Sequence, residues 1–88
     1  MNREEGEAWL EIRGFSETGD DYWTHDGGEI DVRMAVRASG EITWGVEIDG
    51  VEEFGSNPAE ALARLSDWFV DRRARAHEVI QAIEEVLE

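Results

Sequence analysis

Residues 29–54 read EIDVRMAVRASGEITWGVEIDGVEEF, and their reading decides the fold. Apolar and polar residues alternate through 29–37: Ile30, Val32, Met34 and Val36 fall on one side, Asp31, Arg33 and Arg37 on the other. The alternation resumes through 41–49, where Ile42, Trp44, Val46 and Ile48 share a side. A period of two marks a strand with one buried face. Two such strands in succession predict an antiparallel hairpin.

Parity fixes the turn between them, because opposed residues of an antiparallel pair share a face. The inward residues are even-numbered in both strands, so opposed numbers must sum to an even value. A two-residue Ser39-Gly40 turn would set Arg37 against Ile42. A three-residue loop, Ala38-Ser39-Gly40, sets Arg37 against Glu41, Val36 against Ile42, Met34 against Trp44 and Arg33 against Gly45. It also puts Gly40 where such loops need a left-handed residue. Asp49-Gly50 then predicts a tight turn into a short strand over 51–54. Glu52 and Glu53 suit an exposed edge, which charge protects from aggregation.

Beyond that strand, Asn57 is a helix cap, Pro58 sits in the first turn and Glu60 completes a capping box. Leu62, Leu65, Phe69, Ala76, Val79, Ile83 and Val86 form an apolar seam at helical spacing, widened by Ala61, Trp68, Ile80 and Leu87. The pattern predicts a helix near 58–87. It would measure about 46 Å, against about 30 Å for a nine-residue strand. Either it breaks within Asp71–His77, making a helical hairpin, or its distal half buries its stripe on a second chain. The homodimer interface expected in the second case is Arg72, Ala76, Val79, Ile80, Ile83, Val86 and Leu87. Arg72, Arg73 and Arg75 form the one basic cluster. They are expected either in solvent, with Asp71 pairing Arg75, or against the acidic body of the second copy. The step GVEEFGSNPAEALARL, residues 50–65, resembles the strand-to-helix step of the small HicB-type antitoxins at Gly55, Asn57, Glu60, Ala61 and Leu62. Any well-capped helix shares those positions, and no family is assigned from them.

Upstream, AWLEIRGF at 8–15 alternates and predicts a strand, with Ala8, Leu10 and Ile12 on one face. SETGDDYWTHDGG at 16–28 predicts a long loop anchored by Tyr22 and Trp23. The expected fold is a single α+β domain over 1–88. It is an antiparallel β-meander of three to four strands (near 8–15, 29–37, 41–49 and 51–54) followed by a long C-terminal helix packed on one sheet face. The outer sheet face is expected to carry Trp9, Arg13, Phe15, Arg33 and Arg37 among Glu11, Asp31, Glu41 and Glu47. That mixture ties the arginines up in cross-strand pairs.

The chain has 88 residues, 22 of them acidic and 8 basic, for a net charge of −14. Every basic residue is arginine, and cysteine is absent. Lack of cysteine excludes a disulfide scaffold. No apolar run approaches the roughly 20 residues of a membrane span. Met1–Glu7 lacks the basic start and apolar run of a leader, so the expected compartment is cytoplasmic. So negative a surface repels nucleic acid and anionic lipid and attracts a basic partner.

Catalysis finds no foothold. There is no GxSxG, HExxH, P-loop or cysteine nucleophile, and the two histidines, His25 and His77, lack an evident nucleophile or orienting partner. The expectation is a non-enzyme with no catalytic residues and no cofactor. Asp20, Asp21, His25, Asp26 and Glu29 are of types that bind divalent ions. Counting from Asp21, however, Trp23 takes a position where an EF-hand needs oxygen. A solvated, turn-rich loop is the expectation, with no metal site.

Residues 1–57 hold 15 acids and 4 arginines, a net of −11; residues 58–88 hold 7 acids and 4 arginines, a net of −3. The first part is therefore the expected contact for a basic partner, through Asp20, Asp21, Asp26, Asp49, Glu52 and Glu53. The expected function is that of an acidic protein-binding inhibitor occluding the nucleic-acid-binding surface of a partner such as a nuclease. A phage anti-CRISPR or anti-restriction DNA mimic works this way, as does an immunity or antitoxin protein. The competing expectation is a structural homodimerisation module whose acidity belongs to an acidic or halophilic cytoplasm.

Overall fold

Asn2 starts a helix that the sequence reading missed. Its side chain accepts from the backbone N–H of Glu5, and the Glu5 carboxylate accepts from the backbone N–H of Asn2. This capping box opens α1, Arg3–Ile12, in the computed structural model, which describes residues 1–72 and 76–88. Gly14, with φ of +86°, ends the helix in the left-handed conformation that favours glycine. The expected strand over 8–15 is therefore wrong. Burial here follows i,i+4, with Gly6 and Leu10 facing the core. Ile12, which the alternation put on the side of Leu10, is 82% exposed. Only Phe15, at the end of that stretch, enters a strand.

Five strands follow: β1 Phe15–Gly19, β2 Tyr22–His25, β3 Asp31–Val36, β4 Ile42–Ile48 and β5 Val51–Gly55. They form one antiparallel sheet in chain order, so β1 and β5 are its edges. The expected loop over 16–28 is in fact the β1–β2 hairpin, turning at Asp20-Asp21 with Asp21 at φ of +55°. Trp23 is fully buried, as an anchor should be; Tyr22 points the other way and is exposed.

The central hairpin matches the parity reading. Met34 opposes Trp44, Val36 opposes Ile42 and Arg33 opposes Gly45. The Arg37 N–H donates to the Glu41 carbonyl, and Gly40 has φ of +88°. Asp49 and Gly50, both left-handed, make the next turn, and Ile48 opposes Val51. Val36, expected inward, is 60% exposed where β3 runs past the core.

Asn57 caps α2, Pro58–Arg72, accepting from the Glu60 N–H at 2.8 Å. A second helix, α3, spans Ala76–Leu87. The seam is thus carried by two helices packed against each other, not by one long helix over 58–87. The longest extent of the molecule is 36 Å, shorter than the single helix would be. Residues 73–75 of the expected break, with the Arg73 and Arg75 readings and the Asp71–Arg75 pair, lie outside the described residues.

The distal stripe offered to a second chain mostly folds back. Val79, Ile83 and Val86 join Leu62, Leu65 and Phe69 in the chain's own core. Ile80 is half-buried, while Arg72 and Leu87 are exposed; the side chain of Ala76 is outside the described ones. Covered internally, the three core residues no longer need a second copy.

All this apolar surface gathers on one sheet face, where Trp23, Val32, Trp44, Val46 and Ile48 meet the helices. Gly6 seats α1 directly on Trp44: a Cβ there would run into the ring. The Trp23 and Trp44 rings stand 5.6 Å apart. Neither indole N–H finds an acceptor among the described residues, which costs about 1–3 kcal/mol each. The fold is thus an α+β meander with its helices on one side. Among the described residues, no helix lies on the other face of the sheet.

Candidate functional site

Strand alternation assigns the uncovered face its residues. Val32, Val46 and Trp23 point to the helices, so their neighbours Asp31, Arg33, Gly45, Glu47, Tyr22 and Thr24 point away. On β5 the same rule sends Glu52 and Phe54 outward, because they oppose Glu47 and Gly45. One cross-strand row therefore reads Thr24, Asp31, Glu47, Glu52. Three carboxylates stand side by side on adjacent strands, about 4.8 Å per step. Like charges directly opposed in this way destabilise a sheet.

The next row explains how the arrangement is tolerated. Arg33 lies opposite Gly45, whose missing side chain lets the guanidinium reach past it. Nε and Nη2 of Arg33 each donate to a Glu52 oxygen at 2.8 Å. The same guanidinium sits 5.6 Å from the centre of the Phe54 ring. A Cβ on Gly45 would come within 2.9 Å of that ring and 3.2 Å of the Glu52 carboxylate. Arg33 thus neutralises one end of the ladder.

Asp31 accepts from the Thr24 hydroxyl at 3.1 Å. Thr24 and Tyr22 are neutral donors, and no ion pair to Asp31 or Glu47 occurs among the described residues. Tyr22, Asp31, Val32, Arg33, Glu47 and Glu52 line an open depression of about 250 Å³. The Tyr22 phenol is held above its ordinary pKa, first by burial and then by the charge and hydrogen bond of Asp31, with Glu47 adding to the effect and Arg33 opposing it.

The six acids expected to form the contact are scattered by the fold. Asp20 and Asp21 occupy the β1–β2 turn at one end of the sheet. Asp21 pairs with Arg3 at 2.8 Å, and Glu7 and Glu17 share that guanidinium. Asp26 and Asp49 sit in turns at the opposite end. Asp26 accepts from the Ser16 hydroxyl. Glu53 opposes Val46 and so faces the helix side, while its neighbour Glu52 faces away. Only Glu52 belongs to the ladder. The sequence pattern marks Asp31 and Glu47 only as companions of the arginines. Yet the two predicted turns already imply the row: opposed numbers sum to 78 across the first hairpin and 99 across the second, which pairs residue 31 with 47 and 47 with 52.

Of the expected aromatic and basic outer face, Arg33 stays among Asp31 and Glu47 and is spent in its cross-strand pair with Glu52, while the N-terminal residues leave it. Phe15 is core, and Arg13, just past the end of α1, stacks on Trp9 of that helix, 3.9 Å from guanidinium to ring centre. Arg37 donates to the Thr43 hydroxyl. Among the described residues, no group of His, Asp and Glu is placed to hold a metal ion, and no helix is long and apolar enough to cross a membrane. No protein-family model, no curated protein and no solved structure matches this chain.

Proposed function

We propose that the chain is an acidic binding protein that lays its uncovered sheet face on the basic, nucleic-acid-binding surface of a partner protein. The observation that supports this is the Asp31–Glu47–Glu52 row on a face no helix covers. One strand of duplex DNA carries a charge every 3.4 Å or so along the axis; the row carries one about every 4.8 Å. A groove built for phosphates therefore meets the Asp31 and Glu47 carboxylates at a comparable spacing, with Glu52 already paired to Arg33. Tyr22 and Phe54, both partly exposed on the same face, add aromatic surface to which arginine side chains stack well. Occlusion in this way is the chemistry of a nuclease inhibitor or of an antitoxin, and long-range attraction makes such association fast and salt-sensitive.

The test is capture of partners on the immobilised chain at low salt, repeated with the Asp31→Asn/Glu47→Gln double variant. The reading requires proteins that the variant fails to retain and that release bound nucleic acid when the wild-type chain is added. Retention that is equal for both chains, or captured proteins that keep their nucleic acid, overturns it.

A further inference from the structure

We propose that α1 is a flap, clamped by Arg3, that opens from the sheet while the rest of the fold stays closed. The inference concerns the helix-covered face and stands apart from the binding reading. Three observations carry it. First, the surface α1 covers is poorly satisfied. The indole N–H groups of Trp23 and Trp44 lie at zero exposure with no acceptor among the described residues. Gly6 of α1 lies against the Trp44 indole and the Arg3 guanidinium lies 5.5 Å from the centre of the Trp23 ring, so lifting the helix opens both rings to water and lets the open state regain hydrogen bonds that the closed state gives up.

Second, the attachment is narrow. Within α1 the fully buried residues are Gly6, which has no side chain, and Leu10, and the half-buried Trp9 is the one further apolar side chain packed on the core. Among the described residues the side-chain ion pairs of α1 to the sheet run through Arg3, which bonds Glu17 and Asp21 on the β1–β2 hairpin at 2.7 and 2.8 Å, and Glu7 of its own helix at 2.6 Å. These side chains are all partly exposed, so salt weakens them. Third, the helix ends at a natural pivot. Gly14, left-handed at φ of +86°, joins α1 to β1. The capping box closes within α1 itself, so the helix keeps its start when it swings.

Local opening of this kind is read by amide hydrogen exchange. In the full chain, the amides of residues 7–12 are expected to exchange about tenfold or more faster than those of β4, and faster still in added salt, with β4 unchanged. Gly6→Ala drives a Cβ into the Trp44 ring without touching any ion pair. It should strip protection from α1 and leave that of β3 and β4 in place. In Arg3→Gln the salt response of α1 should vanish. Exchange of α1 at the rate of β4 overturns the proposal, as does equal acceleration of both by Gly6→Ala, or a salt response that survives in Arg3→Gln.

Discussion

Asp31 and Glu47 stand directly opposite each other across β3 and β4, two carboxylates on the uncovered face. An opposed like-charge pair costs about 0.2–1 kcal/mol relative to a neutral pair. Glu47→Gln should therefore stabilise the fold by that much at low ionic strength. Urea unfolding midpoints check this, and a lower midpoint for the variant contradicts it. The same substitution should weaken binding to a basic partner, the usual opposition of stability and function at a site.

Arg33 poses the reverse case. It holds Glu52 by two 2.8 Å hydrogen bonds, with half its side chain exposed. Arg33→Gln should cost no more than about 1 kcal/mol, as exposed pairs do, while leaving Glu52 without its cation. Association with an arginine-rich peptide should then be faster at low salt than for the wild type. Stopped-flow mixing measures it; a slower or unchanged rate removes Arg33 from its assigned role.

Tyr22 is the only tyrosine in the chain, so the phenolate absorbance reports it alone. Its midpoint should lie above the usual 10.0, because burial first, and Asp31 second, disfavour the anion. Asp31→Asn should bring the midpoint down towards, though not to, that value. The sign for stability follows. Above pH 10.0 the unfolded chain loses the phenol proton before the folded one does. The contribution is thus complete below that pH and is lost as pH rises through the folded midpoint. A midpoint at or below the usual value in the folded chain would disprove the arrangement.

Gly55 closes the corner between β5 and α2. A Cβ there would meet the backbone nitrogen of Ala61 at 2.8 Å, an atom that cannot rotate aside. Gly55→Ala should destabilise the fold by about 1–3 kcal/mol, the usual range for overpacking. A melting temperature equal to that of the wild type would show that the corner yields freely.

The central and C-terminal parts of the fold were legible because each rests on local rules. Even-numbered apolar residues, Gly40 and Asp49-Gly50 set two registers, and Asn57 with Glu60 set a helix start. The ladder itself was implicit in those registers. The N-terminal third was not legible, for two physical reasons. Residues 8–15 alternate by chance, and the signal that overrides them, Asn2 with Glu5, lies outside the apolar stretch. Residues 16–25 are too polar for a period to show, since β1 is an edge strand with a register shift between Glu17 and Gly19. Nor could the sequence show where the distal apolar stripe goes. Val79 and Ile83 suit a partner chain and the chain's own sheet equally well.

At the far margin of the sheet, the Arg64 guanidinium donates to the Phe54 carbonyl at 2.6 Å. Residues 48 and 51 flank a two-residue turn, so the hydrogen-bonding alternation turns the Phe54 carbonyl away from β4. An incoming strand from another molecule would have to share that oxygen with Arg64, so the β5 margin offers one of its outward carbonyls already engaged, a local brake on strand addition.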